Sequence, residues 1–388
     1  VLRNARLAGS AGRRDIALAG GRVAGVAGEG QIPPCAREVD LAGRVVLPGL
    51  VNAHDHLDAS TLPSLAGPRC ANARQWAAAL ESRQGEAEVM AAVAVPLPDR
   101  LFLGGLRNLL AGVTAVAHHG AFHRSLARAE FPVRVLERYQ FAPAASTSAL
   151  RRTYRTTDRR IPWFVHAGEG TDEEAGGDVA RLASENLLRQ NTVMIHAIAL
   201  PASTLTAVAA ARACVVWSPE ANRNVYGATA DVRALIAAGV RVGLGAESPV
   251  CGVRDLLSTL AAARREAAMS DGDLLALATG ASAEVARLPA GGLETGALAD
   301  LVAVDSVERL LEGERAAIVL VVVGGEPRYG ADAVMGTLEP RGVAATVDGE
   351  RRRLAPAVGA RAASLWRRHR AAGAAGWMKG VSFGEAAA

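Results

Sequence analysis

Two histidines separated by one residue, His54 and His56, follow an apolar run that begins at Val45. This run is rich in β-branched residues and predicts a buried strand over Val45–Val51. Alternate side chains of an extended chain point the same way, so the two imidazoles can converge just beyond the strand. Because imidazole nitrogens are common metal ligands, this spacing suggests a metal site. A pair of exposed loop histidines is the structural alternative.

Other residues with chemically capable side chains recur where later apolar runs end. His166 and His196 each follow such a run, and Glu247 follows another. Active sites of barrel enzymes assemble from the C-terminal ends of several strands. One strand that ends in histidine carries little information, whereas four such strands and one that ends in a carboxylate favour a shared site. The complete set is His54, His56, His118, His119, His166, His196, Ser218, Glu220, Asn222 and Glu247.

The segments that must position these residues alternate between strand and helix signals from Val45 to Pro289. Such alternation predicts a parallel sheet, and polar residues at the strand ends favour a (β/α)8 TIM-type barrel over a doubly wound sheet. An eighth strand is expected in the short stretch Phe141–Ser146. The other seven predicted strands are Val45–Val51, Gly112–Ala117, Val133–Phe141, Pro162–Val165, Thr192–Ile195, Ala213–Trp217 and Val240–Leu244.

Both ends of the chain carry short alternating runs separated by glycines, which predict β-hairpins. We therefore expect an α/β protein in which residues 1-47 plus 296-350 form a discontinuous β-sandwich domain. The barrel would take residues 48-295. Residues 351-388 would form a C-terminal helix through Trp366 and a tail that contains Trp377.

Composition excludes several classes of protein. With 50% hydrophobic and 21% charged residues, the 388-residue chain has the balance of an ordinary globular protein. Its net charge of +4 includes no basic tract interleaved with aromatic residues, which argues against nucleic-acid binding. Four separated cysteines without a Cys-x-x-Cys pair argue against a disulfide framework or a zinc finger. No apolar stretch has the length of a membrane span and nothing marks secretion, so a cytoplasmic location without membrane contact is expected.

These motifs together resemble the amidohydrolase superfamily, in the branch that holds cytosine and guanine deaminases and triazine chlorohydrolases. The resemblance implies a metal-holding barrel beside a small β-sandwich made from both termini. The matching segments follow the family's order from residue 1 to about 350, and they are Pro48–His56, Gly112–Val116, His166–Glu169, His196, Ser218–Asn222, Gly243–Ser248 and Gly296–Leu301.

The resemblance also implies a role for each residue of the site. His54, His56 and His166 would bind one divalent metal, with zinc as the first choice and iron or manganese as alternatives. Glu169 would carry protons between the attacking water and the substrate nitrogen, a role that calls for a pKa raised by enclosure. His196 would steady the water or the developing oxyanion. No lysine follows a predicted barrel strand, so a single metal is favoured over a lysine-bridged pair.

The chain departs from the family at the last metal ligand and general base. The family has Gly-Thr-Asp-Ser, whereas this chain has Gly245-Ala246-Glu247-Ser248. The added methylene displaces the carboxylate by about 1.5 Å on a fixed backbone, and catalytic groups tolerate a misplacement of about 0.5 Å. Glu247 is therefore expected either to ligate from a shifted backbone or to serve as a structural hydrogen-bond acceptor. Its role as base stays open.

Four further residues are candidates for the substrate pocket. His118 and His119 are adjacent on one strand, so only one can point inward, and pocket or core positions are equally open. Trp76 could stack on a heteroaromatic substrate or pack on a helix face. Asn222 belongs to a motif in which Glu220 departs from the small polar residue common in the family.

The expected activity is hydrolysis of a non-peptide C–N bond by a metal-activated water that attacks an sp2 carbon. We place an aminohydrolase (deaminase) of a small nitrogen heterocycle first, since the motif from His166 to Glu169 is characteristic of the deaminase-like branch. One alternative is a cyclic-amide hydrolase that is imidazolonepropionase-like. Another is a degenerate barrel that binds a small molecule without turnover because Glu247 replaces the expected Asp. The expected partner is a small-molecule substrate, and the family often forms homodimers.

Overall fold

A computed structural model of the chain describes residues 1–142, 147–289, 292–369 and 378–384. The predicted strand at Phe141–Ser146 lies largely outside this range, and Trp377 lies wholly outside it. The strands are β1 Leu2–Leu7, β2 Arg14–Ala19, β3 Arg22–Gly28, β4 Val39–Asp40, β5 Val45–Pro48, β6 Leu50–Asp55, β7 Val113–His118, β8 Arg134–Val135, β9 Gln140–Phe141, β10 Trp163–Ala167, β11 Thr192–His196, β12 Cys214–Trp217, β13 Arg241–Leu244, β14 Leu301–Val304, β15 Ile318–Val323, β16 Glu326–Ala331, β17 Val343–Val347, β18 Glu350–Leu354 and β19 Val381–Phe383.

The α-helices alternate with strands through the middle of the chain. They are α1 Ala73–Ser82, α2 Ala87–Ala94, α3 Leu97–Leu110, α4 Thr147–Arg155, α5 Glu173–Ser184, α6 Ala202–Ala210, α7 Pro219–Tyr226, α8 Val232–Ala237, α9 Leu256–Ala267, α10 Asp271–Leu277, α11 Gly280–Ala286, α12 Val307–Leu311, α13 Asp332–Leu338 and α14 Pro356–His369. No single helix in the described ranges meets the length and hydropathy of a membrane span, although α2 and α3, bent by 98°, meet them as a pair.

Strands from both ends of the chain share one sheet of eleven strands. Its order is β19-β17-β18-β16-β15-β14-β5-β1-β2-β3, and β4 pairs with β1. The junction between the two ends is the antiparallel pairing of β5 with β14, from Val45 opposite Val304 to Pro48 opposite Leu301. The sandwich arrangement and the domain boundaries stay predictions.

Eight parallel strands form two further sheets, β6-β7-β8 and β9-β10-β11-β12-β13. The sheets meet where β6 ends: the Glu247 amide donates to the His54 carbonyl at 3.1 Å, and the His56 amide donates to the Glu247 carbonyl at 3.3 Å. The α/β class predicted from the sequence is confirmed. Closure of the eight strands into a barrel stays a prediction.

Two predicted strands are each divided in the structure. Val45–Val51 breaks at Gly49, where the nearby Thr114 side chain of β7 leaves no room for a Cβ. Its first half joins the terminal sheet and only its second half, β6, carries the histidines. The predicted strand Val133–Phe141 becomes β8 and β9, separated by residues 136–139, of which 137 and 138 are exposed. This division supplies the eighth parallel strand, which the sequence placed at Phe141–Ser146.

The helix that supports the site most directly is α3. Every residue from Leu101 to Leu110 is buried, so the helix packs on all sides. Two of these buried residues, Arg107 and Asn108, are polar and reach the end of β6.

Candidate metal centre

Four imidazoles face one another at the C-terminal ends of β6, β7 and β10. They belong to His54, His56, His119 and His166, and their candidate ligand atoms all lie within 4.8 Å of one another. Ring centroids are 4.7 Å apart for His119 and His166 and 5.1 Å apart for His54 and His56. The structure therefore brings together the three histidines predicted as ligands and adds His119, which the sequence analysis had left between pocket and core.

Glu247 completes this cluster from a strained backbone. Its φ of 61° lies in the left-handed region, which costs a non-glycine residue about 1–3 kcal/mol. The two backbone hydrogen bonds to β6 hold it there. Its Oε2 contacts His54 Nε2, and its Oε1 lies 3.3 Å from His56 Nε2. The longer side chain thus reaches the histidines from this left-handed backbone. Whether Glu247 ligates a metal or serves as a structural hydrogen-bond acceptor stays a prediction.

The electrostatics suit a neutral His54 imidazole beside an ionised Glu247 carboxylate. Burial lowers the pKa of His54 to about 3, outweighing the opposing effect of Glu247. Burial alone would raise the pKa of Glu247, but the neighbouring His56 and His54 hold it well below its ordinary value. A neutral imidazole and a carboxylate are the forms in which these side chains bind a metal.

Glu169 lies beside this cluster in a network of hydrogen bonds. Its Oε2 is 2.8 Å from His166 Nδ1, and its Oε1 accepts a hydrogen bond of 2.5 Å from the Tyr226 hydroxyl. His196 Nε2 lies 3.5 Å from the same Oε1, and His196 Nδ1 is 2.7 Å from Asn222 Oδ1. The amide oxygen can only accept, so this contact places the proton of a neutral His196 on Nδ1 and turns the Nε2 lone pair toward the site.

The pKa of Glu169 differs from the sequence-based expectation. Burial raises it, but His196 and His166 together with the hydrogen bonds from His166 and Tyr226 lower it further, to about 2. The carboxyl group is therefore ionised, not held in the acid form.

A buried polar network holds the end of β6 from behind. Asp55, the residue between the two histidines, accepts hydrogen bonds from Arg107 at 2.5 Å, Asn52 at 2.7 Å and Asn108 at 2.8 Å. The side-chain Oδ1 of Asn52 in turn accepts a hydrogen bond of 2.9 Å from the Ala246 backbone amide. This network fixes the two histidines relative to the residue that precedes Glu247. Sequence reasoning missed it, although Asn52 shares the strand face of His54 at spacing i, i+2.

A cavity of about 1020 Å³ opens above the cluster. Its floor is polar, formed by His56, His119, His166, Glu169, His196 and Glu247. Its walls are apolar and include Trp76, predicted as a pocket residue, on α1. Tyr226, which no sequence pattern singled out, also lines it.

Two predicted pocket residues lie elsewhere. His118 is buried and turned away from the cavity, where its Nδ1 accepts a hydrogen bond of 3.3 Å from the Leu57 amide. Its neighbour His119 takes the inward position because adjacent strand residues face opposite sides. Asn222 is wholly buried behind His196 and positions that ring instead of contacting the cavity.

The donor atoms of this centre fit a divalent cation. In the described part of the chain, His54 Nε2, His119 Nδ1, His196 Nε2 and Glu247 Oε2 are buried without a hydrogen bond of normal geometry. Buried polar atoms in proteins are nearly always paired. Unpaired imidazole nitrogens and a carboxylate oxygen are the ligand types that zinc, iron and manganese bind.

Comparison with known sequences agrees with this chemistry. The model of the amidohydrolase family matches residues 142–347. A 5-methylthioadenosine/S-adenosylhomocysteine deaminase of Natronomonas pharaonis is 30% identical over 167 residues, 39% of this chain and 39% of that protein. The protein of the same name from Halobacterium salinarum is 26% identical over 332 residues, 71% of this chain and 76% of that protein. The first of these matches thus spans about two fifths of the relative's length.

Comparison with solved structures gives the same fold. An adenosine deaminase from Xanthomonas campestris with bound zinc has a TM-score of 0.67 and 19% identity, and the match covers 81% of this chain and 88% of that one. An atrazine chlorohydrolase from Arthrobacter aurescens, complexed with zinc, has a TM-score of 0.66 and 18% identity, with 81% and 90% covered.

Proposed function

Because the chain belongs to the amidohydrolase family, and is accordingly a hydrolase of non-peptide C–N bonds, we propose that it is an aminohydrolase of nitrogen heterocycles. Water adds to an sp2 ring carbon, the exocyclic C–N bond breaks, and ammonia leaves while the carbon becomes a carbonyl. The observation that carries this proposal is the convergence of four imidazoles and the Glu247 carboxylate beside Glu169, with all but the His54 ring lining the floor of one cavity. The deaminase names of the relatives support it.

The residues proposed to hold a divalent metal are His54, His56, His166 and Glu247, with His119 as an additional imidazole within the same cluster. When bound, such a metal supplies a Lewis acid and an activated water at the cavity floor. Zinc is the first choice, supported by the zinc in the similar solved structures, and iron or manganese are the alternatives.

Side chains around that point transfer the protons and position the attacking water. Ionised Glu169 accepts a proton from water at the floor and then delivers it to the leaving nitrogen. The hydrogen bonds from Tyr226 and His166 hold its carboxylate in position for both transfers. His196, whose ring orientation is set by Asn222, presents Nε2 to accept a hydrogen bond from the attacking water.

We also propose that the eight parallel strands close into a (β/α)8 barrel. The hydrogen bonds that link Glu247 to both sides of Asp55 support closure between β13 and β6. Such a barrel would place all of these side chains at its C-terminal face, where barrel enzymes carry their sites.

The test is an ammonia-release assay on the metal-loaded full chain with aminopyrimidines, aminopurines and aminotriazines, and with cyclic amides in parallel. Release of ammonia is expected for at least one ring class, and Glu169→Gln should lower kcat/KM at least about a hundredfold. Ring opening without ammonia would support the cyclic-amide alternative. Binding of the rings without either reaction would support the degenerate alternative and contradict the proposal.

A further inference from the structure

We infer that α1 and α2 form a binding subsite for an apolar group attached to the substrate ring. The preferred substrate is then an uncharged nitrogen heterocycle that carries an alkyl or aryl substituent. This inference rests on the proposed function and specifies its substrate class.

The wall of the cavity on the side of α1 and α2 is apolar apart from Gln84, which lies between the two helices. Leu65, Val89 and Val250 form a small buried cluster that is separate from the main core. Trp76 and Leu80 of α1 pack against that cluster and also line the cavity. Since this wall and the histidine floor bound the same cavity, a ligand that reaches the floor lies beside the wall.

The same wall keeps apolar surface that the protein itself does not cover. None of the ten residues of α1 is buried, although the helix carries Trp76 and Leu80 on its cavity side. On α2, Met90 is 60% exposed and Val93 is 52% exposed, and both line the cavity. Apolar surface of this kind is stabilised when a ligand removes it from water.

The charges of the lining residues favour an uncharged substituent over an anionic one. No arginine or lysine stands among the described residues that line the cavity, and its ionisable floor includes the carboxylates Glu169 and Glu247. A phosphate or carboxylate on a substituent that lies against the α1 and α2 wall would find no arginine or lysine there to pair with. An alkyl or aryl group meets no such cost.

The volume of the cavity also favours a substituted ring. Pockets for drug-sized ligands have volumes of about 300–1,000 Å³, and this cavity of about 1020 Å³ is just above that range. A bare heterocyclic ring over the histidine floor would leave the apolar wall facing water.

The test is a series of aminopyrimidines that differ only in an unbranched alkyl substituent, from methyl to octyl, assayed with the metal-loaded full chain. Each buried methylene should raise kcat/KM roughly fourfold until the cavity is filled. Leu80→Asn should flatten this dependence on chain length. Ile236→Asn is the matched control, because Ile236 is an equally apolar residue, 41% exposed on α8, that does not line the cavity. It should keep the wild-type dependence.

A second experiment tests binding at the subsite independently of the reaction. The same alkylpyrimidines without the exocyclic amine are titrated into the wild type and both variants by calorimetry. The subsite is supported if affinity rises with alkyl length in the wild type and in Ile236→Asn, and if Leu80→Asn flattens this dependence. That result would support the subsite even if no ammonia is released and the proposed function is contradicted. If ammonia is released from the methyl compound but neither kcat/KM nor affinity rises with alkyl length, the subsite is overturned and the proposed function stands.

Discussion

The guanidinium of Arg107 donates a hydrogen bond of 2.5 Å to Asp55, and the two side chains are only 1% and 0% exposed. The same Nη2 lies 3.4 Å from the Glu247 carbonyl oxygen. A single buried cation on α3 thus contacts both segments that supply the metal-binding side chains. Neither residue touches the cavity, and both determine where His54 and His56 stand.

The buried pair predicts a large loss of stability when its cation is removed. Arg107→Met should lower the free energy of unfolding by about 3–5 kcal/mol, because the Asp55 carboxylate would remain buried without its partner. The control is Arg160→Met, since Arg160 is 85% exposed in its ion pair with Asp158 and should cost at most about 1 kcal/mol. Urea unfolding of the two variants measures both values, and equal losses would contradict the assignment.

His119 is predicted to strengthen metal binding. His119→Asn should weaken metal affinity at least tenfold, since losing even an outer partner of a metal ligand costs about 10–100-fold. His118→Asn changes the adjacent buried histidine, which is turned away from the cluster, and should leave the affinity within a few-fold. Competition with a chelator reports both. If the metal affinity of His119→Asn is unchanged, His119 lines the pocket but does not bind the metal.

Restoring the family's Asp is predicted to harm this site. Glu247→Asp withdraws the carboxylate by about 1.5 Å from the histidines that it now contacts, and a misplacement of about 1 Å can cost 100-fold in rate. We expect kcat/KM to fall about a hundredfold, with Glu247→Gln as the control that keeps length and removes charge. Raised turnover in Glu247→Asp would mean that the longer side chain impairs the reaction.

A pH effect on stability is predicted away from the metal centre, at Glu220. Burial raises the pKa of Glu220 to about 7, against smaller opposing effects from its hydrogen bonds with Ser258 and Thr259. The folded chain therefore holds this proton more tightly than the unfolded chain. The resulting stability is complete below about pH 4.5 and is lost as the pH rises through about 7. Because the residue is partly exposed, the loss should be about 1–3 kcal/mol.

Glu220→Gln should remove that part of the pH dependence, since the amide keeps a hydrogen-bond acceptor but does not titrate. Urea unfolding of both proteins between roughly pH 5 and pH 8 measures the difference. Parallel pH profiles for the wild type and the variant would show that Glu220 does not titrate in this range.

The local part of the site could be predicted from the sequence. His54 and His56 share one strand face because of their spacing, and His166 and Glu169 share one strand end. The first relation depends only on the geometry of an extended chain, and the second only on closeness in sequence, so no tertiary information was needed to predict them.

The other features of the fold and the site depend on contacts between segments that are distant in sequence, so local patterns could not predict them. The need for glycine at position 49, where the predicted strand breaks, comes from the close approach of Thr114 on another strand. The choice of His119 over His118 follows from the register of β7 against β6, in which His118 pairs with Asp55. Tyr226 and Arg107 reach the site from helices whose positions no local pattern specifies.

The most direct test of the account is the metal content of the full chain purified without a chelator. We predict about one equivalent of zinc, iron or manganese per chain, and ammonia release that stops when the metal is removed and returns when it is restored. Absence of these metals above background, with none taken up on addition, would contradict the assignment of His54, His56, His166 and Glu247 as a metal centre.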